Sequence, residues 1–204
     1  MIPSLPHVLR GKHLVVVDVE GNGQQPPEII ELAALPIDNG ATPEDMRTWL
    51  VRPRREITGL VTRRVHGITN ADVADRPTWP EIAGQVRELI SSRALVAHAA
   101  SVEYRVLSDH LPDYRPALVL DTLRLAKHVW PGLPGYGLDA LVTHTALDTS
   151  AVPQRHHRAT YDTWCAWLLL CALAEQGGMD WAGLVQAAML PTSPHGSPQR
   201  EGLW

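Results

Sequence analysis

The sequence predicts an α/β domain whose mixed central sheet carries helices on both faces. Three observations support this: a buried apolar run ending on two acids, two strand patterns that follow it across turn signals, and, from residue 78 onward, short buried strands alternating with helical stripes. Residues 13–17 form the first strand, ending at Asp18-Val19-Glu20. The turn-rich stretch from Gly21 to Pro27 separates it from a second strand at residues 28–37, and Asn39-Gly40 from a third at 46–51. These three predict an antiparallel meander. Thr78-Trp79-Pro80-Glu81 has the composition of a helix start, and Ile82, Val86, Leu89 and Ile90 make its apolar stripe. A short strand is expected at residues 94–97, then a helix capped by Ser101 and carrying Val102, Val106 and Leu107. A strand at 117–120 runs through Asp121-Thr122 into a helix with Leu123, Leu125 and Ala126. A short helix follows at 137–143 and a long one at 158–175. Residues 1–190 read as one domain, and 191–204 as a flexible tail rich in Pro, Ser and Gly.

Composition narrows the function. With a net charge of −4 there is no global positive field to draw in nucleic acid. That does not exclude an acidic site meeting phosphate through cations, since bound ions invert the local charge logic. Basic runs at Arg52, Arg54, Arg55 and at Arg63, Arg64 read as a solvated surface, or alternatively as a rim that contacts phosphate. Cys165 and Cys171 fall in one helical stretch about 120° apart around the axis, too divergent to bridge. Free thiols and the lack of a signal-type apolar segment fit a cytoplasmic protein without a membrane span.

Acidic residues carry the chemistry. Asp18 and Glu20, two apart on a strand, point into one space, where like charges raise each other's pKa unless a cation neutralises them. The ordinary alternative is a strand end entering water. Glu103 and Asp162 each stand near a helix start, where an acid also serves the helix dipole. His157 precedes Asp162 by five residues, about 500° of helix rotation, so the two side chains converge only if His157 sits on the loop before the helix.

In order and spacing, Asp18-Val19-Glu20, Ala97-His98 through Glu103, and His157-Arg158-Ala159-Thr160-Tyr161-Asp162 resemble the three motifs of the DEDDh-type 3′–5′ exonucleases. Glu28-Ile29-Ile30-Glu31-Leu32-Ala33, the stretch from Ile57-Thr58 to Val65-His66-Gly67-Ile68-Thr69, Leu120-Asp121-Thr122-Leu123 and Tyr136-Gly137-Leu138-Asp139-Ala140-Leu141 are similar to the family's linking segments, so the likeness spans roughly residues 12–175. The resemblance implies an RNase H-like fold with a five-stranded mixed sheet flanked by helices. It implies two Mg²⁺ or Mn²⁺ ions held by Asp18, Glu20, Glu103 and Asp162, with His157 as general base. It also implies substrate contacts from Gly21, Asn22, His66 and His98. The expected partner is a single-stranded DNA or RNA 3′ end or a short oligonucleotide, and the family admits a homodimer.

The chain departs from the family pattern where His98-Ala99 replaces the usual His-Asn, where Val102-Glu103 replaces Phe-Asp, and where Gly21-Asn22-Gly23 follows the first motif. Glu103 keeps the charge but reaches about 1.5 Å further. Two alternatives therefore stand beside the polymer-directed exonuclease: a hydrolase of dinucleotides or very short oligonucleotides, and a degenerate domain that binds nucleotides without cleaving them.

Overall fold

The computed structural model describes residues 4–57, 65–153 and 157–191. Among them lie strands β1 (Leu14–Gly21), β2 (Ile29–Ile37), β3 (Arg47–Leu50), β4 (Ala94–Ala97) and β5 (Val119–Asp121). The helices are α1 (Asn70–Val73), α2 (Trp79–Ile90), α3 (Ser101–His110), α4 (Thr122–Val129), α5 (Leu138–Thr145), α6 (Ala159–Gly177) and α7 (Trp181–Ala188). The sheet order is β3-β2-β1-β4-β5, with the β1–β2 and β2–β3 pairs antiparallel and the β1–β4 and β4–β5 pairs parallel. The meander and the mixed five-stranded sheet are thus as the sequence predicts.

Strand alternation decides which side chains meet which layer. Leu14 and Val16 of β1, with Ala33, Leu35 and Ile37 of β2, join the core built around α4, α5, α6 and α7. Val15 and Val17 of β1, with Leu32 and Ala34 of β2, face the opposite core with α2 and α3. Asp18 and Glu20 share the parity of Leu14 and Val16, and Glu31 that of Ala33. All three carboxylates therefore lie on the face covered by α6. That helix is apolar nearly all round, with Trp164 and Trp167 fully buried, as expected of a helix enclosed on most sides.

Local chemistry fixes the remaining ends. Thr78 and Glu81 form a capping box at the start of α2, and Thr69 with Asp72 does the same for α1. Ser101 is the first residue of α3 and not its cap: the N-cap is Ala100, because the left-handed Ala99 (φ 60°) turns the chain directly into helical geometry. Strand β5 lies later than residues 117–120, since pairing to β4 starts where Leu118 accepts from the Leu95 amide. Helix α1, only four residues long, and α7, which has eight like α4 and α5, are not among the elements that the sequence predicts. Leu190 donates to the Val119 carbonyl, so the fold extends to that residue, and residues 192–204 lie outside the described residues. Cys165 and Cys171 are buried and free. No helix among the described residues is long and apolar enough to cross a membrane.

Candidate active site

Strand β1 and helix α6 bring Asp18, Glu20 and Asp162 together. One carboxylate oxygen from each lies within 4.8 Å of the other two. Three like charges at that spacing repel strongly unless they are protonated or share a cation. Burial, followed by the charges of Glu103, Glu20 and Asp162, pushes the Asp18 carboxyl well above the usual carboxylate range. Burial first, then Asp162, Glu31 and Glu103, pushes Glu20 up to about 8, while the Arg158 guanidinium pulls it back down.

Glu103 approaches from the first turn of α3. It is 7% exposed and stands outside the 4.8 Å triple, yet no other charge acts on Asp18 as strongly. Burial, with Asp121 adding to it, raises Glu103 to about 8. Asp18 Oδ2 and Glu103 Oε2 are both shielded from solvent and without a hydrogen-bond partner. Two orphaned carboxylate oxygens beside a triple of converging acids are the donor set of a hard divalent cation, and the residues fit such an ion.

His157 lies where the spacing requires, on the residue before the N-cap Arg158 of α6. It is exposed and left-handed (φ 57°). Arg158 takes the extended conformation, and its guanidinium forks onto Glu31 of β2, Nε donating to Oε2 at 2.9 Å and Nη2 to Oε1 at 2.6 Å.

Side chains expected to touch substrate fall into two groups. Gly21 sits at the irregularity that ends the β1–β2 register, and buried His66 turns its Nε2 toward that backbone. No hydrogen bond of ordinary geometry forms there, while His66 Nδ1 accepts from the Ile68 amide. Asn22 and His98 instead have their polar atoms engaged by the protein. Fully buried Asn22 accepts from the Gln24 and Glu28 amides and donates to the Arg55 carbonyl, shaping the loop after β1. His98 bonds the Thr122 hydroxyl and the Tyr136 carbonyl, each at 2.9 Å, and burial lowers its pKa. Their side chains hold the walls of the site. Arg55 is likewise tied to Glu28 and to the Gln25 and Pro26 carbonyls, and Arg52 to the Ala74 carbonyl. Arg63 and Arg64 lie outside the described residues.

Two residues that matter here were not singled out by the sequence reading. Asp121 Oδ1 accepts from the Ala99 and Leu123 amides, pinning the turn that leads to Glu103 onto the start of α4. Glu31, a lone acid on the α6 face of an otherwise apolar strand, had a visible signal in its parity with Ala33 and Leu35. A cleft of about 700 Å³ between Leu50, Gly67, Ile68, α1 and Arg158 contains none of the four clustered carboxylates.

The chain matches the exonuclease family profile (RNase_T) over residues 15–169. The chain belongs to the DEDDh-type 3′–5′ exonuclease family. This exonuclease is 34% identical to exodeoxyribonuclease 10 of Escherichia coli (strain K12) over 166 residues, which cover 81% of the chain and 70% of that relative. It is 31% identical to the DNA polymerase III subunit epsilon of Aquifex aeolicus (strain VF5) over 156 residues, 72% of the chain and 73% of that protein. Among solved structures, exonuclease X in complex with 5′ overhanging duplex DNA superposes with a TM-score of 0.69 at 29% identity, covering 85% of this chain and 98% of that one. Exonuclease I shares the fold at 15% identity, with a TM-score of 0.65 over 86% of this chain and 42% of its own.

Proposed function

We propose that this exonuclease removes nucleotides from the 3′ end of single-stranded DNA or RNA and releases nucleoside 5′-monophosphates by a two-metal-ion mechanism. The observation that carries the reading is the convergence of Asp18, Glu20 and Asp162 oxygens within 4.8 Å in a partly buried pocket, beside the orphaned carboxylate of Glu103. Asp18, Glu20 and Asp162 would hold Mg²⁺ or Mn²⁺, with Glu103 contributing from α3. Bound there, the ions supply Lewis-acid activation of a water and stabilisation of the departing 3′-oxygen.

The protein's own groups do the rest. His157, exposed and outside the helix, takes the proton of the attacking water at a ring nitrogen, which suits an imidazole near neutral pH. Gly21 follows Glu20 at the end of β1, where an added Cβ would stand 3.4 Å from the Pro27 side chain, and His66 lies beside that backbone. Asn22 and His98 hold the two flanking loops in place. Exonuclease X in complex with DNA supports nucleic acid as the substrate class.

A second reading, preference for dinucleotides or very short oligonucleotides, is favoured by the net charge of −4 and, among the described residues, by the engagement of Arg55 with Glu28. A length series separates the two. Single-stranded oligonucleotides of about 2 to 20 nucleotides are incubated with Mn²⁺ and the released monophosphates counted. Turnover that rises or holds with length supports the polymer-directed enzyme, and turnover confined to the shortest members supports the second reading. Absence of release from any length of DNA or RNA rejects both.

A further inference from the structure

We infer that Glu31 and Arg158 form a positioning pair that sets the hydrolytic geometry: the guanidinium fork fixes both His157 and the start of helix α6, which carries Asp162, against the β1–β2 strand pair. The inference rests on the nuclease reading above and assigns work to two residues that touch neither substrate nor ion.

Glu31 is directly opposite Glu20 in the β1–β2 register, on the same face of the sheet. Cross-strand neighbours stand about 5 Å apart at Cβ, so an uncompensated Glu31 would crowd the cluster with a further negative charge. It is 3% exposed, and both its oxygens are taken by one short segment. Oε2 accepts from Arg158 Nε and from the Ala159 amide, each at 2.9 Å, and Oε1 accepts from Arg158 Nη2 at 2.6 Å. Glu31 is therefore not a fifth ligand.

It acts instead as a remote cap for α6. Arg158 stands at the N-cap but offers no side-chain acceptor to the helix, and a carboxylate from the neighbouring sheet satisfies the Ala159 amide in its place. The same carboxylate anchors the residue next to His157. A non-glycine residue at φ 57° is unfavourable and persists only where the surroundings hold it. On the C-terminal side, that hold is Arg158. Arginine suits the work because its planar fork matches a carboxylate at two points, which the single ammonium of lysine cannot do.

The test compares the wild-type chain with Arg158→Lys, Glu31→Gln, Arg158→Gln and the double variant Glu31→Gln/Arg158→Gln. Four quantities are measured: kcat and KM on a 3′-labelled single-stranded oligonucleotide in Mn²⁺, the Kd for Mn²⁺ alone by calorimetry, and the melting temperature in EDTA. Activities are read well below each melting point. Arg158→Lys and Glu31→Gln should lower kcat by about 10- to 100-fold, the scale of an ångström-level displacement, while KM moves by less than about threefold and the Mn²⁺ Kd, which follows the displacement of Asp162, rises by less than kcat falls. Arg158→Gln should be worse, because it leaves a buried carboxylate unpaired, and the double variant should recover about tenfold of its kcat. A kcat within about threefold of wild type in Arg158→Lys and Glu31→Gln overturns the inference, as does a loss residing wholly in KM or in Mn²⁺ affinity. Absence of release by the wild-type chain rejects the nuclease reading itself, and that result is recognised before any variant is made.

Discussion

Without a cation the acidic cluster is a liability, and the liability has a pH signature. Burial raises Glu20 and Glu103 to about 8 from an ordinary 4.5, and holds Asp18 high as well. Between those limits the folded protein keeps protons that the unfolded chain has released, so stability is present at low pH and is lost as pH climbs toward 8. Buried His66 and His98, held below the usual histidine range, act in the opposite sense below about pH 6.5. The clean window is therefore about 6.5–8, where each raised carboxylate costs about 2 kcal/mol. Two such groups in one neighbourhood do not add fully, so a loss of about 2–4 kcal/mol is expected, or about 5–15 °C in melting temperature for a chain of this size. The assay is thermal melting by circular dichroism across that window, in EDTA and in Mn²⁺. In EDTA the melting temperature should fall with pH. Mn²⁺ should raise it strongly at pH 8 and little at pH 6.5, because protonated carboxylates do not bind the ion. Glu103→Gln should flatten the EDTA profile. A flat or rising profile in EDTA, or a Mn²⁺ effect equal at both ends, would refute the reasoning.

Ala99 is a left-handed residue without the glycine or asparagine that such a position favours. Ala99→Gly should stabilise the fold by up to about 1 kcal/mol, raising the melting temperature by about 2–4 °C, and an unchanged or lower value counts against it. His157→Ala should lower kcat by about 10²–10⁴-fold while Mn²⁺ still binds in calorimetry, and a lost ion would place the histidine in the ligand set. Glu103→Asp should slow hydrolysis, since the shorter arm withdraws the carboxylate by about 1.5 Å. A faster variant would mean that the longer side chain is poorly placed.

Much of this was legible in the residues because the patterns are short-range. The continuous apolar run from Leu14 to Val17 marks the strand, and the two-residue spacing of Asp18 and Glu20 puts both acids on one face of it. The His157–Asp162 spacing puts the histidine before the helix, and α6 indeed starts at Ala159. What could not be read is long-range. The bond from Arg158 to Glu31 joins residues 127 positions apart, and nothing local to either announces it. Asn22 and His98 seemed suited to substrate because family position, not contact, suggested it, and only the tertiary fold shows their polar atoms engaged by the loops around them. Ala99 looks like a simple loss of an amide in the sequence. In the structure the position is defined first by its backbone conformation and by the bond from its amide to Asp121.

The most direct measurement is Mn²⁺-dependent release of nucleoside 5′-monophosphates from a 3′-labelled single-stranded oligonucleotide, run side by side for the wild-type chain and for Asp18→Asn. Convergence of three carboxylates on shared cations predicts steady 3′-terminal release by the wild type, abolished by EDTA, and a variant that is folded but inactive. Wild-type rates in Asp18→Asn, or release that persists in EDTA, would contradict the assignment of Asp18, Glu20 and Asp162 as the metal-holding centre of this exonuclease.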